Sequence, residues 1–450
     1  VLGLETDVSS LDVLTNAGAV EIKEANAVTV NSIATDAAST VTLTAGGDVV
    51  AGSGTAANIT AGSLVLTTGG SAGAAAALRT DISNLSANSS AAANAGDIVI
   101  TNAGNLAVVS VGTASNVVLT STTGNIADEG DDSTLDISAN ALTLSAALGV
   151  LNLETTVTSL TVTASDGDVI ISEADALTVN SIVASTGDIS LIAGGAMAVG
   201  SISATVGDVS LTTTVGDIAD ASSDTTLDIS ANALTLMAAG GVMNLETAVT
   251  TLTATANGGD VLISEADALT VNSISASGDV DLTVGGDTTV SSISATAGDV
   301  SLTVTGDVIA GSGTAANIST NALVLTTTGA AGAAAALRTD IASLTASSSQ
   351  ATAANAALVI SNVGAMTVVS ATSAGAIDLS AQAGDLSVGL IDSDSAVTLE
   401  ATLGAIRDAD NSDTATTDIS AVALSLTAAT GVLGLETDVS SLDVLTNAGA

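Results

Sequence analysis

The chain has 450 residues and is 47% apolar, yet it contains no Phe, Tyr, Trp, Pro, Cys or His, so Val, Ile, Leu and Ala, with four Met, must fill its core. Without Cys or His there is no disulfide framework, no thiolate or imidazole zinc ligand, and no Cys- or His-based catalysis. Against 47 acidic residues stand only Lys23, Arg79, Arg338 and Arg407, a formal net charge of −43. Such a surface repels nucleic acid and anionic lipid and makes cations, calcium above all, the natural counter-charge.

Taken in chain order, the sequence reads as strands of four to seven residues separated by Gly-Asp, Gly-Gly, Ser-Gly or Asn-Ala. VTLTAGGDVV from Val41, LVLTTGG from Leu64, GDIVITNAGNLAVVSV from Gly96 and ALTLSAALGV from Ala141 alternate apolar residues with Thr, Ser and Asp. That is the two-residue period of a strand with one buried face. The alanine run AGAAAAL at Ala72, copied at Ala331, has helical propensity, but it leads straight into a strand and reads as a widened turn. No apolar run approaches the roughly 18 residues of a membrane span, so no membrane insertion is expected within the chain.

A short signature, Leu-x-Thr-x-(Val/Ile)-x-x-Leu, divides everything else into blocks. It begins at Leu4, Leu78, Leu153, Leu245, Leu337 and Leu435, at intervals of 74, 75, 92, 92 and 98 residues. The sub-blocks are 4–77, 78–152, 153–244, 245–336 and 337–434. Val432 to Ala450 repeats Val1 to Ala19 at an offset of 431, so the chain reads as a window cut from a longer tandem array. Within the longer blocks, Gly-Asp pairs fall at Gly167, Gly187 and Gly207, and again at Gly259, Gly278 and Gly298, in steps of 19 or 20. A period near 20 with two or three short strands per turn is that of a solenoid. The excess of a 92-residue block over a 74-residue one is close to that period and then corresponds to one coil. The spacing predicts an all-β parallel β-helix of about 20 residues per coil, a single continuous rod whose leucine signature lies in the core.

Three acidic stretches are the candidate sites. Asp128, Glu129, Asp131, Asp132 and Asp136 lie in one turn region; Asp220, Asp224 and Asp228 match them 92 residues on; Asp408, Asp410, Asp413 and Asp418 form a third. Alternating carboxylates of this kind suit Ca2+ shielding repulsion between coils. They equally suit solvated turns, in which Asp bonds to its own backbone. Paired carboxylates also raise glycoside hydrolysis or polysaccharide cleavage, but the chain lacks the aromatic or basic residues that would hold a sugar, and no enzymatic activity is expected. Thr-x-Thr rows such as Thr161/Thr163 are too irregular for an ice-binding face. The second signature position alternates between Glu (Glu5, Glu154, Glu246, Glu436) and Arg (Arg79, Arg338), which reads as fibre-to-fibre pairing or as a solvated rim. Asn31, Asn180 and Asn272, in the repeated TVNSI, read as caps of the turns between coils.

The GNIADEGDDSTLDISANALTLSAALGVLNLET run from Gly124, its relatives from Gly216 and Gly404, and the GDVSLT-type strands resemble the repeats of filamentous-haemagglutinin-type giant bacterial surface proteins. The resemblance implies a right-handed parallel β-helix, secretion by a Gram-negative-type cell, and adhesion or extracellular scaffolding. The expected role is a structural repeat of an extracellular fibre or stalk, extended by self-association end to end or side by side. The alternative is the shaft of an adhesin whose binding domain lies elsewhere.

Overall fold

The computed structural model describes residues 1–410 and 417–447. Two compact units are present, Val1–Asp224 with Asp228–Asn232, and Thr225–Leu227 with Ala233–Ala450. Each is a parallel β-solenoid in which every strand hydrogen-bonds to the strand one coil ahead, about 20 residues later. The described residues contain no α-helix, only the single 3-10 turn Ala353–Asn355.

Alternating polarity decides which face turns inward. Thr40–Ala45 and Val169–Glu173 bury every second residue, and these inward side chains stack on one another from coil to coil. In the first unit one column runs Val117, Leu142, Leu160, Val179, Val199. In the second, Val261, Val280, Val300, Leu323, Leu344, Val368 and Val388 form another. None of these twelve is more than 1% exposed. Strands stacked at about 4.8 Å bring like residues into contact along each column. A branched aliphatic side chain fills that spacing without a void, which is why the core manages without aromatics.

The Gly-Asp pairs close the coils. The N–H of Asp188 donates to Asp168 Oδ1 at 2.9 Å, and that of Asp208 to Asp188 Oδ1 at 2.8 Å. The second unit repeats this from Asp260 to Asp279 to Asp299. The glycine beside each Asp allows the backbones to touch, because a Cβ on Gly187 would lie 2.3 Å from the Gly167 carbonyl. Much of the acidic charge is therefore held by backbone N–H groups.

Block length is counted in coils. From Leu78 the ladder steps to Ile100, Leu119 and Leu144, and the next signature, Leu153, lies half a coil further on. From Leu245 it steps to Ile263, Leu282, Leu302 and Leu325 before Leu337 is reached, also half a coil on. The 92-residue block thus holds one coil more than the 75-residue block. The extra half coil, which the spacing alone does not reveal, places successive signatures on opposite sides of the coil.

The signature is a corner. Four of its six first leucines, Leu78, Leu153, Leu245 and Leu337, are fully buried, whereas Leu4 is exposed and Leu435 half-buried; the threonines Thr80, Thr155, Thr247 and Thr339 are nearly fully buried. Where the strand rounds the corner, the N–H of the Val or Ile loses its ladder partner, and a buried polar side chain one coil ahead replaces it. Glu173 accepts from Val157 N–H at 3.0 Å, from the Thr155 hydroxyl at 2.7 Å and from Asp175 N–H at 3.2 Å. Glu265 does the same for Val249, Thr247 and Asp267. In the Arg-containing blocks the part is taken by Asn102 and Asn362, which accept from Ile82 and Ile341 N–H at 3.0 and 2.9 Å.

The asparagines of TVNSI do not cap turns. Asn31, Asn180 and Asn272 are the exposed extra residues of β-bulges, where the register slips by one. The alanine runs are indeed turns, with Ala72 and Ala331 bridging to the coils on either side. Asn58 and Asn317 are structural, since both side chains are buried and donate to the carbonyls of Val30 and Val290.

Removing a corner residue leaves buried donors unpaired. Glu173→Ala and Glu265→Ala are each expected to cost about 1–3 kcal/mol in denaturant unfolding. Burial raises both carboxyls above their ordinary value, offset in part by the threonine and backbone bonds, with Asp175 and Asp267 adding to the rise. A raised folded value favours the protonated form in the folded state. That contribution is complete below the ordinary Glu range and is lost as pH climbs through the raised value. Unfolding measured across that interval should show stability falling as pH increases, with a shallower fall in Glu265→Gln.

Candidate metal centre

The acidic turns fold so that some carboxylates turn inward and others stay in water. Asp128 ends the strand Ile126–Asp128; Asp136 directly precedes the strand Ile137–Ala146; Glu154 lies on Val150–Ala164, one coil ahead. The parallel stack brings the three together, each placing a carboxylate oxygen within 4.8 Å of the others. The second unit repeats the group with Asp408, Asp418 and Glu436. In the first unit Asp220 and Asp228 approach each other in the same way, Asp228 being 1% exposed.

Asp136 is the buried member, 1% exposed and pinned on both sides. Its Oδ2 accepts from Glu154 N–H at 2.9 Å, its N–H donates to the Glu154 carbonyl at 2.9 Å, and its carbonyl accepts from Val111 N–H at 2.6 Å. Its Oδ1 and Glu154 Oε2 are buried without a hydrogen-bond partner. Burial pushes the Asp136 carboxyl up to about 7, helped by the charges of Asp128 and Glu154. Glu154 is raised by burial and by Asp128, with a smaller push from Asp132, and Glu436 by burial and Asp418.

The other predicted residues build the loop. Asp128 accepts from Gly130 and Asp132 N–H at 2.9 and 2.8 Å, and Asp132 from Thr134 N–H at 2.6 Å. Asp132 is held below the ordinary carboxylate range by the Thr134 side chain and backbone. Asp131, at φ 48, accepts from Asn152 Nδ2 at 2.7 Å, and Glu129 is exposed. Asp224 donates its N–H to Asp220 Oδ2 at 2.9 Å, and Asp410 its N–H to Asp408 Oδ1 at 3.0 Å. Asp413 lies outside the described residues. The acidic residues divide into two groups by burial. Asp131, Asp132, Asp224 and Asp410 are exposed turn residues, whereas Asp136, Asp228 and Asp418 are buried.

Glu154 and Glu436 are the members that sequence reasoning missed, because the second signature position reads as fibre-to-fibre pairing or as a solvated rim. Their signal is a constant offset, since Asp136 and Asp418 each precede the signature Glu by 18 residues. Where the signature carries Arg, the upstream residue is Asn, at Asn58 and Asn317. These occupy the same fold position: Asn58 Oδ1 accepts from Arg79 N–H at 3.1 Å, as Asp136 Oδ2 does from Glu154 N–H. The guanidinium of Arg79 turns onto the loop below it, donating to the Ala56 and Gly52 carbonyls at 2.8 and 2.6 Å. Arg338 makes the matching bonds to Ala315 and Gly311. Lys23 pairs with Glu5 at 3.7 Å across exposed surface, and Arg407 with Asp385.

No protein-family model, no curated protein and no solved structure matches the chain.

Arg79→Met keeps the length of the side chain and removes its donors. Two loop carbonyls then lose charged partners, and unfolding should show a loss of roughly 1–2 kcal/mol, with the same loss for Arg338→Met.

Proposed function

We propose that the chain is a length-setting structural segment of an extracellular fibre or stalk made by a Gram-negative-type bacterium, related to the filamentous-haemagglutinin-type surface proteins whose repeats its motifs resemble. The observation that carries this reading is that blocks differ by a whole coil. A 92-residue block gains its length by adding one coil to the ladder of a 75-residue block without altering the corner, the core columns or the Gly-Asp closure. A solenoid built that way can be lengthened without inventing a new fold, because each coil contacts only its neighbours. The repetition of residues 1–19 at 432–450 supports the same reading at the scale of the whole repeat. The net charge of −43 favours solubility of a long assembly and keeps neighbouring fibres apart.

The proposal is tested with arrays of one, two and three 431-residue repeats, imaged by electron microscopy. Particle length should increase by a constant step on the order of 100 Å per repeat, about 20 coils at ~4.8 Å each. Compact particles whose length does not follow repeat number would refute it.

A further inference from the structure

Asn58 and Asp136 stand at the same point of the fold, and the difference between them poses a chemical problem. In Asn58 one side-chain atom accepts the signature N–H while the other, an amide nitrogen, donates to the Val30 carbonyl at 2.9 Å. In Asp136 the accepting oxygen is retained, but the donor has become a second oxygen, Oδ1, buried and unpartnered in a side chain only 1% exposed. The signature residue changes in step. Arg79 brings five donors and a positive charge over the loop, whereas Glu154 brings a further carboxylate whose Oε2 is also unpartnered. One version of the pocket carries its own cation, and the other gathers acceptors from Asp128, Asp136 and Glu154 around a point that no protein donor reaches.

We infer that the Asp128–Asp136–Glu154 pocket binds one hard divalent cation of the size of calcium, which fills the role that the arginine guanidinium fills in the other blocks. Three oxygens within 4.8 Å of one another are close enough to share one ion of calcium size. Asp128 and Glu154 are half-buried, so water completes the shell from the open side. The ion joins the loop 128–136 to the following coil, as Arg79 joins the loop 52–58 to its own. It also neutralises a group of carboxylates whose burial would otherwise oppose ionisation. The inference is independent of the fibre proposal, since the pocket is complete within a single unit.

The test is equilibrium dialysis of the full chain against radioactive calcium at physiological monovalent salt, which suppresses diffuse binding to the acidic surface. Asp136→Asn restores the donor found in Asn58 and should lower the number of tightly bound ions per chain by one relative to wild type. Glu154→Gln, which changes a side chain that takes no part in the bonds pinning Asp136, should remove the same ion if Asp136→Asn folds poorly. Glu21→Gln, an exposed carboxylate away from the pocket, should remove none. Calcium should also raise the melting temperature of the wild type more than that of either pocket variant. Failure of wild type to bind calcium saturably, or an unchanged count in both pocket variants, would overturn the inference and leave a shared proton between Asp128 and Asp136 as the occupant.

Discussion

Each unit depends on one constraint: a coil must present its backbone groups to the next coil in register, because the parallel ladder is the only partner those groups have away from water. Straight strands meet it easily, corners do not. At a corner the chain turns away from the strand it was paired with and a backbone N–H faces the interior. Thr155 and Val157 show the solution, with one buried glutamate from the coil ahead taking both the hydroxyl and the N–H. Thr80 and Ile82 show its second form, with asparagine. Leaving such a donor unpaired costs about as much as a sizeable fraction of a domain's net stability, so the polar residues inside this apolar core are as necessary to it as the leucines.

The composition follows from the same constraint. Coils that repeat at a fixed spacing leave a narrow interior of constant width, and Val, Ile and Leu fill it in columns. A bulky ring would have to be matched in the coils above and below. Glycine stands where the backbones of successive coils meet, and Asp beside it accepts the N–H that the turn exposes. The charge of the chain is therefore partly a by-product of coil closure. Among the carboxylates that closure does not use are the inward ones of the acidic turns, where burial pushes Asp136 up to about 7.

The two forms of the corner travel as sets. Glu at the second signature position goes with an Asp 18 residues before it, as at Asp136 and Glu154, and with a Glu one coil after it, as at Glu173. Arg at that position goes with an Asn 21 residues before it, as at Asn58 and Asn317, and with an Asn one coil after it, as at Asn102 and Asn362. Each set is electrostatically consistent. An asparagine–arginine pocket is filled by the chain's own donors, and an aspartate–glutamate pocket is an acceptor site. Exchanging one member without the others would strand either a buried charge or a buried donor, which explains why the residues change together.

Local sequence alone determined that the chain is built of short strands in coils of about 20 residues, that the signature leucines Leu78, Leu153, Leu245 and Leu337 are core, and that the long blocks exceed the short ones by a coil. Each of these follows from a period, and a period survives without knowledge of what touches what. Tertiary structure decided the rest. Glu154 reads as a rim residue on its own strand, and only the stacking of coils carries it over Asp128 and Asp136. Asn31 reads as a cap, and only the register with Asp12 and Ser32 shows it to be a bulge. Asp131 and Asp136 are alike in sequence, yet one is exposed and the other buried. The burial of an inward carboxylate is set by the coil laid over it, which for Asp136 arrives with Glu154, and by nothing adjacent in the chain.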